Sequence, residues 1–220
     1  QEKRMIIFGE LVKRYWNGQL KDVEDLNRLA AEIKEQYGFR DDDMAFIMDH
    51  IRIAMGLDPT GEDVFRDELE IVRNFSVVKN PVISKIEGPC EYCDDDSGNC
   101  KDTCLFESHV YRRSKGPVIV NDKCLTCGRC VTACDFGALA DKIEFIPVIE
   151  ILKEKKAPVY VTVAPAIAGQ FGDNVTLGQL RSAFKLMGFT DMVEVAMFAD
   201  ILTIKEAFEF NQMVKTTEDF

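Results

Sequence analysis

Apolar residues recur at helical spacing through the first 75 or so residues. Phe8, Leu11, Val12, Tyr15 and Trp16 form one stripe, and Val23, Leu26, Leu29, Ala30 and Ile33 form a second that stops near Gly38. Met44, Ile47, Met48, Ile51 and Met55 make a third, opened by Asp41 to Asp43 and closed by Gly56; a fourth runs from Val64 to Val72. Residues 1–80 therefore read as a helical module. It holds no cysteine and one histidine, His50. A lone histidine reads as a satisfied or surface side chain, because a metal site needs partners at matching spacing.

Asn80-Pro81 opens a stretch with little regular pattern, in which Pro117 to Val120 reads as one strand of a hairpin. From Ile143 the pattern changes again. Pro147 suits the first turn of a helix running to about Lys155. The β-branched run Val159 to Ala164 (V-Y-V-T-V-A) reads as a buried parallel strand. Thr176 is placed to cap a helix that runs to Met187, with Gly188 as its stop. Met192 to Met197 reads as a second strand and Ile201 to about Met213 as a second helix. Strand, helix, strand is a βαβ unit, whose ligand crevice lies beyond the carboxyl ends of its strands, here at 164–168 and 198–200.

Composition narrows the function classes. The 220 residues are 46% apolar and 30% charged, with a net charge of −11. That balance is ordinary for a globular protein and argues against nucleic acid, which needs a basic face. No apolar run reaches the roughly 18 residues of a membrane span, so no membrane is expected as a partner. No secretory signal pattern is visible from Gln1 onward.

The cysteines carry the chemistry. All eight fall in two groups: Cys90, Cys93, Cys100 and Cys104, then Cys124, Cys127, Cys130 and Cys134. The second group reads C-x2-C-x2-C-x3-C, the run of a bacterial-type iron–sulfur protein. A 4Fe–4S cube takes one thiolate per iron; the tight loop wraps three corners, and the fourth needs a more distant ligand. In two-cluster ferredoxins each motif gives its last cysteine to the other cluster. Applied here, one cluster takes Cys90, Cys93, Cys100 and Cys134, and the other takes Cys104, Cys124, Cys127 and Cys130. The alternatives are zinc, which uses paired C-x2-C and would leave one cysteine of the 124–130 loop idle, or disulfides. Tight grouping points to ligation and so to a reducing compartment, with the cytoplasm expected.

The first group departs from the pattern as C-x2-C-x6-C-x3-C, its extra residues lying in the acidic run Asp94 to Asn99. Leu105 and Asp135 stand where a proline normally follows the last cysteine of each motif. His109 lies between the groups with Arg112, Arg113 and Lys115, a basic stretch that reads as a solvated loop or, alternatively, as a dock for an acidic electron carrier. No internal repeat is evident beyond the cysteine groups themselves.

From Cys90 to Phe220 the chain resembles the FeFe (iron-only) hydrogenases. The resemblance rests on the two cysteine groups, on V-T-V-A-P-A-I (Val161 to Ile167), on L-R-S-A-F-K-L-M-G-F (Leu180 to Phe189) and on F-A-D-I-L-T-I-K-E-A-F-E (Phe198 to Glu209). It implies electron transfer through two 4Fe–4S clusters toward a catalytic 4Fe–4S cube bridged to a di-iron unit, where protons are reduced or hydrogen oxidised. It also implies that Ala164, Pro165 and Ala166 line the di-iron pocket, and that Glu206 and Glu209 belong to a proton path. Their i, i+3 spacing puts both carboxylates on one helix face, although a solvated face with Lys205 and Glu209 paired at i, i+4 has the same spacing rules behind it.

The expected fold class is α+β overall: a helical module over 1–80, a small two-cluster ferredoxin-like domain over 81–142, and an incomplete α/β (βαβ) unit over 143–220. No cysteine follows Cys134, whereas the family holds its catalytic cluster through cysteine motifs expected just after Phe220. The 220 residues are thus expected to be non-catalytic alone, although their parent would be an oxidoreductase. The partners implied are a low-potential carrier such as ferredoxin and the remainder of the catalytic domain. A freestanding dicluster carrier and a hydrogenase-like protein of iron–sulfur assembly are the alternative readings.

Overall fold

The computed structural model describes residues 2–74, 82–88, 99–112 and 116–219. Cys90, Cys93 and the acidic run as far as Gly98 lie outside the described residues. The class is mixed α+β, as the patterns predict. Two compact units are present, Gln1–Ile149 and Glu150–Phe220.

In the first unit, α1 (Glu2–Trp16), α2 (Val23–Gln36), α3 (Met44–Ala54) and α4 (Glu68–Asn74) bury the stripes read from the sequence. α1 turns in Ile7, Leu11 and Tyr15, and α2 turns in Leu26, Leu29, Ala30 and Ile33. Asp22 caps α2 by accepting the Asp25 N–H at 3.0 Å, satisfying one of the donors that a helix start leaves open. α3 is the central rod, buried from Ile47 to Ala54, with α1 and α2 both against it.

That burial includes a charge. Arg52 is 0% exposed and donates to Asp49 Oδ1 at 2.9 Å, Glu68 Oε1 at 3.0 Å and the Glu62 carbonyl at 2.8 Å. Its guanidinium stands 4.9 Å from the Phe65 ring centroid. Asp49 also accepts the N–H groups of Thr60 and Gly61, at 2.9 and 3.0 Å. One planar fork thereby ties α3 to the loop after it and to α4.

The other end of the contact surface of α3 meets the cysteine-bearing segment. β1 (Ile83–Lys85) pairs antiparallel with β4 (Leu139–Asp141), and β2 (His109–Arg112) pairs antiparallel with β3 (Gly116–Ile119). Two single-turn helices, α5 (Asn99–Asp102) and α6 (Arg129–Thr132), lie beside them. His50 Nε2 lies 3.1 Å from the Gly137 carbonyl, so this nitrogen carries the proton. The Ile143 N–H donates to the Ile53 carbonyl at 3.2 Å, and Lys142 pairs with Asp58 at 2.5 Å. Arg4 and Asp141 form a further ion pair. His50 is thus a buried, satisfied side chain and holds a backbone carbonyl.

α7 (Ile146–Glu154) straddles the boundary between the units. In the second unit β5 (Tyr160–Val163) and β6 (Asp191–Glu194) run parallel, joined through α8 (Leu177–Leu186). Thr176 and Gln179 form a reciprocal capping box at the start of α8. Val163, Leu180 and Met192 are the buried core of the pair. Two expectations are corrected. The second strand ends at Glu194, and α9 (Val195–Met213) takes the residues up to Met197 that the sequence pattern placed in the strand. Its only partner strand stops at Val163, because the chain turns at Pro165, which has no N–H to donate; Ala196 and Met197 are then free to follow their helix preference. β5 is also not buried on both faces, since Tyr160 and Thr162 are exposed: a sheet of two strands has nothing on its second side. No helix among the described residues is long and apolar enough to cross a membrane.

Two outcomes follow from the buried charges of α3. Arg52→Met leaves Asp49 buried with two N–H partners but no cation; unfolding in urea is expected to show a loss of roughly 3–5 kcal/mol with little change in slope. Burial holds His50 down at about 4, below its ordinary 6.5, against the opposing effect of the Gly137 carbonyl. Between those values the unfolded chain binds the proton and the folded chain does not. Stability is therefore complete above about 6.5 and falls with pH by up to about 1.4 kcal/mol per unit. The difference in unfolding midpoint between pH 7.5 and 5.5 should shrink in His50→Gln; an unchanged difference would remove His50 as its source.

Candidate metal centre

The described thiols are those of Cys100, Cys104, Cys124, Cys127, Cys130 and Cys134, all free of disulfides. Their backbone is a repeat that the sequence does not advertise. Cys100 sits in α5 and Cys130 in α6, and the two helices pack on each other. The Cys104 N–H donates to the Lys101 carbonyl at 3.0 Å, and Cys134 donates to the Val131 carbonyl at 3.4 Å. Glu107 then donates to the Cys104 carbonyl and Gly137 to the Cys134 carbonyl, both at 3.3 Å. Both residues are left-handed, with φ of 49° at Glu107 and 69° at Gly137. Two residues on, β2 starts at His109 and β4 at Leu139.

Sequence reasoning missed this repeat because only the cysteines and one phenylalanine are shared; equivalent places hold Glu and Gly, or His and Leu. Hydrogen bonding from the main chain, rather than residue identity, carries it. It also removes the question raised by the absent prolines, since Leu105 and Asp135 enter the same turn without them.

The turn feeds a thiol directly. Burial pushes Cys104 up, but the N–H groups of Ser108, Phe106 and His109 and the Ser108 hydroxyl outweigh it and hold the thiol below its ordinary value. The Ser108 N–H lies 3.4 Å from Sγ. Cys130 goes the other way. Burial, with the neighbouring Cys124 and Cys104 adding to it, pushes it up to about 11, against the N–H groups of Val131 and Cys130 itself. Cys104 thus approaches Cys130 of the second group across the repeat. These donors fit an iron–sulfur group: soft sulfur ligands, with backbone N–H groups aimed at one of them.

Among the described residues no three His, Cys, Asp or Glu side chains converge closely enough to hold a single ion. A cube takes its thiolates at four separate corners, so its ligands stand farther apart than the roughly 3.8 Å between sulfurs around one zinc. His109 is 6% exposed, which corrects its reading as part of a solvated basic loop.

In the second unit Ala164 and Pro165 line a pocket of about 220 Å³ with Val163, Ile167, Ala168, Leu177, Glu194 and Ala196. Pro165–Ile167 is a 3-10 turn directly after β5, so the pocket sits at the carboxyl ends of both strands. Ala166 lies in that turn but is not among the residues lining the pocket. Phe198 to Asp200, expected at the same rim, lie inside α9. Glu206 and Glu209 are exposed on α9, and Glu209 pairs with Lys205 at 3.3 Å.

Comparison with known proteins gives two family matches. Residues 157–220 match the iron only hydrogenase large subunit, C-terminal domain, and residues 117–140 match the 4Fe-4S binding domain. The second match contains Cys124, Cys127, Cys130 and Cys134. Among curated proteins the chain is similar to the NADP-reducing hydrogenase subunit HndD of Solidesulfovibrio fructosivorans, 29% identical over 94 residues. That match takes in 40% of this chain and 16% of the relative, so the chain spans far less than the relative's full length.

The approach of Cys104 to Cys130 has a consequence for variants. Cys104→Ser and Cys130→Ser are expected to alter the same signal in the electron paramagnetic resonance spectrum of the reduced, iron-loaded chain, and Cys134→Ser a different one. Separate signals for Cys104→Ser and Cys130→Ser would break the crossed ligation.

Proposed function

We propose that the iron–sulfur electron transfer of this partial FeFe-hydrogenase-like chain runs through two 4Fe–4S clusters toward a catalytic cluster that makes or oxidises hydrogen. The observation that carries the reading is the approach of Cys104 to Cys130, with α5 packed on α6, which brings thiols from both cysteine groups to one place. Crossed ligation ties the two loops together and holds the clusters near enough to exchange electrons. When bound, each cube supplies a one-electron redox step. The chain's own residues do the rest. Thiols of Cys104, Cys124, Cys127 and Cys130 hold one cluster, and those of Cys90, Cys93, Cys100 and Cys134 hold the other. The turn N–H groups at Cys104 stabilise its negative charge, and α3 fixes the Gly137 carbonyl one turn from Cys134.

The second unit supports the destination. Its pocket at Ala164 and Pro165 lies where an open α/β sheet places a ligand. In this reading Ala164, Pro165 and Ala166 border the di-iron site, and Glu206 and Glu209 pass protons along α9. The large apolar side chains of that helix, among them Phe198, Ile201, Leu202, Ile204, Phe208 and Met213, are 41% to 77% exposed. They lie round most of its circumference, the pattern of a helix built to be covered on all sides. The remainder of the catalytic domain is the partner that fits, and a low-potential carrier such as ferredoxin is the electron donor.

Loaded anaerobically with iron and sulfide, residues 1–220 are expected to bind about eight irons and to be reduced in two steps. Mixed with reduced methyl viologen they should evolve no hydrogen. Turnover by these residues alone would overturn the assignment of the catalytic ligands to another part of the protein.

A further inference from the structure

One buried polar group beside the thiols has no role so far. His109 opens β2 and is 6% exposed. Its backbone N–H is one of the donors to the Cys104 thiol, so the residue belongs to the turn that carries a cluster ligand. Its ring nitrogen Nδ1 is buried and meets no hydrogen-bond partner among the described residues. A buried nitrogen left in that state costs on the order of 1–3 kcal/mol, which a fold rarely tolerates unless a further group satisfies it.

Three placements show which way the ring faces. His109 stands opposite Ile119 in the β2–β3 ladder, and directly opposed residues put their side chains on the same face. Ile119 packs against the core formed by Ile83, Cys130, Val131 and Leu139, with Cys100 and Cys134 beside it. In the backbone repeat, His109 takes the place of Leu139, a member of that core and 2% exposed. The ring is thus turned toward the cysteine-bearing interior. One repeat fills this position with a hydrocarbon and the other with an imidazole whose free nitrogen needs an acceptor.

We propose that His109 donates a hydrogen bond from Nδ1 to a sulfur of the cluster held by Cys104, and thereby raises that cluster's potential above that of its neighbour. The inference rests on the two-cluster reading. A sulfide or thiolate sulfur can only accept, so Nδ1 carries the proton. Reduction adds negative charge to the cluster, and an N–H aimed at sulfur stabilises the reduced form more than the oxidised one. Leu139 offers no such donor, so the two halves of the repeat are electrically unequal although their backbones match. That inequality gives the pair a preferred resting place for a single electron.

The test uses the full chain loaded with iron and sulfide, titrated redox-potentiometrically with electron paramagnetic resonance as the readout. His109→Leu copies the residue at 139 and should keep the iron content. One reduction step should move to lower potential by about tenfold in its equilibrium, about 59 mV for one electron, while the other stays in place. A second measurement reads the contact itself. In the reduced chain labelled with 15N-histidine, electron–nuclear double resonance should show a weak 15N coupling to one cluster, and His109→Leu should lack it. Unmoved potentials together with no coupling would overturn the proposal. So would a coupling of the size given by a directly bound nitrogen, which would make His109 a ligand. Failure of the two-cluster reading is visible separately, as about four irons in place of about eight or a single reduction step before any variant is made.

Discussion

Thiolates crowd together only against their mutual repulsion, and the cysteine-bearing part of this chain is arranged around that constraint. Cys130 shows the problem in full: burial, together with Cys124 and Cys104, pushes its thiol up to about 11. Two things offset it. Main-chain N–H groups are one, those of Val131 and Cys130 at Cys130 itself and those of the turn after α5 at Cys104, where they are strong enough to overcome burial. The larger contribution has to be a cation, because ligation exchanges the thiol proton for iron and makes metal binding part of the folding free energy. The apolar core around these thiols is small, with Ile83, Val131 and Leu139 as its fully apolar buried members and Cys130 as the fourth. A core of that size cannot hold two loops in register without cross-links.

α3 supplies what the cluster segment lacks. On one side Arg52 locks the helical module by joining α3, the 57–67 loop and α4 through a single guanidinium. On the other, His50, Ile53 and the Asp58 carboxylate reach Gly137, Ile143 and Lys142. Gly137 is the close point of this contact: a Cβ built there would stand 3.5 Å from the Phe46 ring, and its left-handed backbone favours glycine independently. The equivalent residue in the other repeat, Glu107, keeps the same conformation as a non-glycine and is exposed there. Only the repeat that carries Cys134 is braced against α3 by such a contact among the described residues.

Much of this was legible in the residues, and the exceptions have identifiable causes. The stripes at Leu11, Leu26 and Ile51 fall where their periodicity puts them, since a 3.6-residue repeat sustained over several turns has no competing interpretation. The spacing of Cys124 to Cys134 named its cofactor class for the same kind of reason, because few groups need thiolates in that rhythm. Arg52 was invisible because a charge inside an apolar stripe looks like its polar edge until its partners are known. His109 was misread for the converse reason: in a four-residue strand flanked by Arg and Lys, neither alternation nor charge separates an inward face from a solvated one. Val195 to Met197 were ambiguous in themselves, and the length of the partner strand decided them.

α9 is the least self-sufficient element, and its composition explains why. Val195 and Met213 bound a helix in which large apolar residues are mixed with Asp200, Lys205, Glu206 and Glu209 without a polar face. None of its residues is buried, so side chains such as Phe208 and Ile204 gain nothing from the packing available within the second unit. Covering a side chain of that size contributes about 1.5–3 kcal/mol each, which makes a free α9 costly and a covered one strongly bound. The same helix places Glu206 and Glu209 among those apolar neighbours. Whatever covers the apolar surface of α9 therefore also surrounds these two carboxylates.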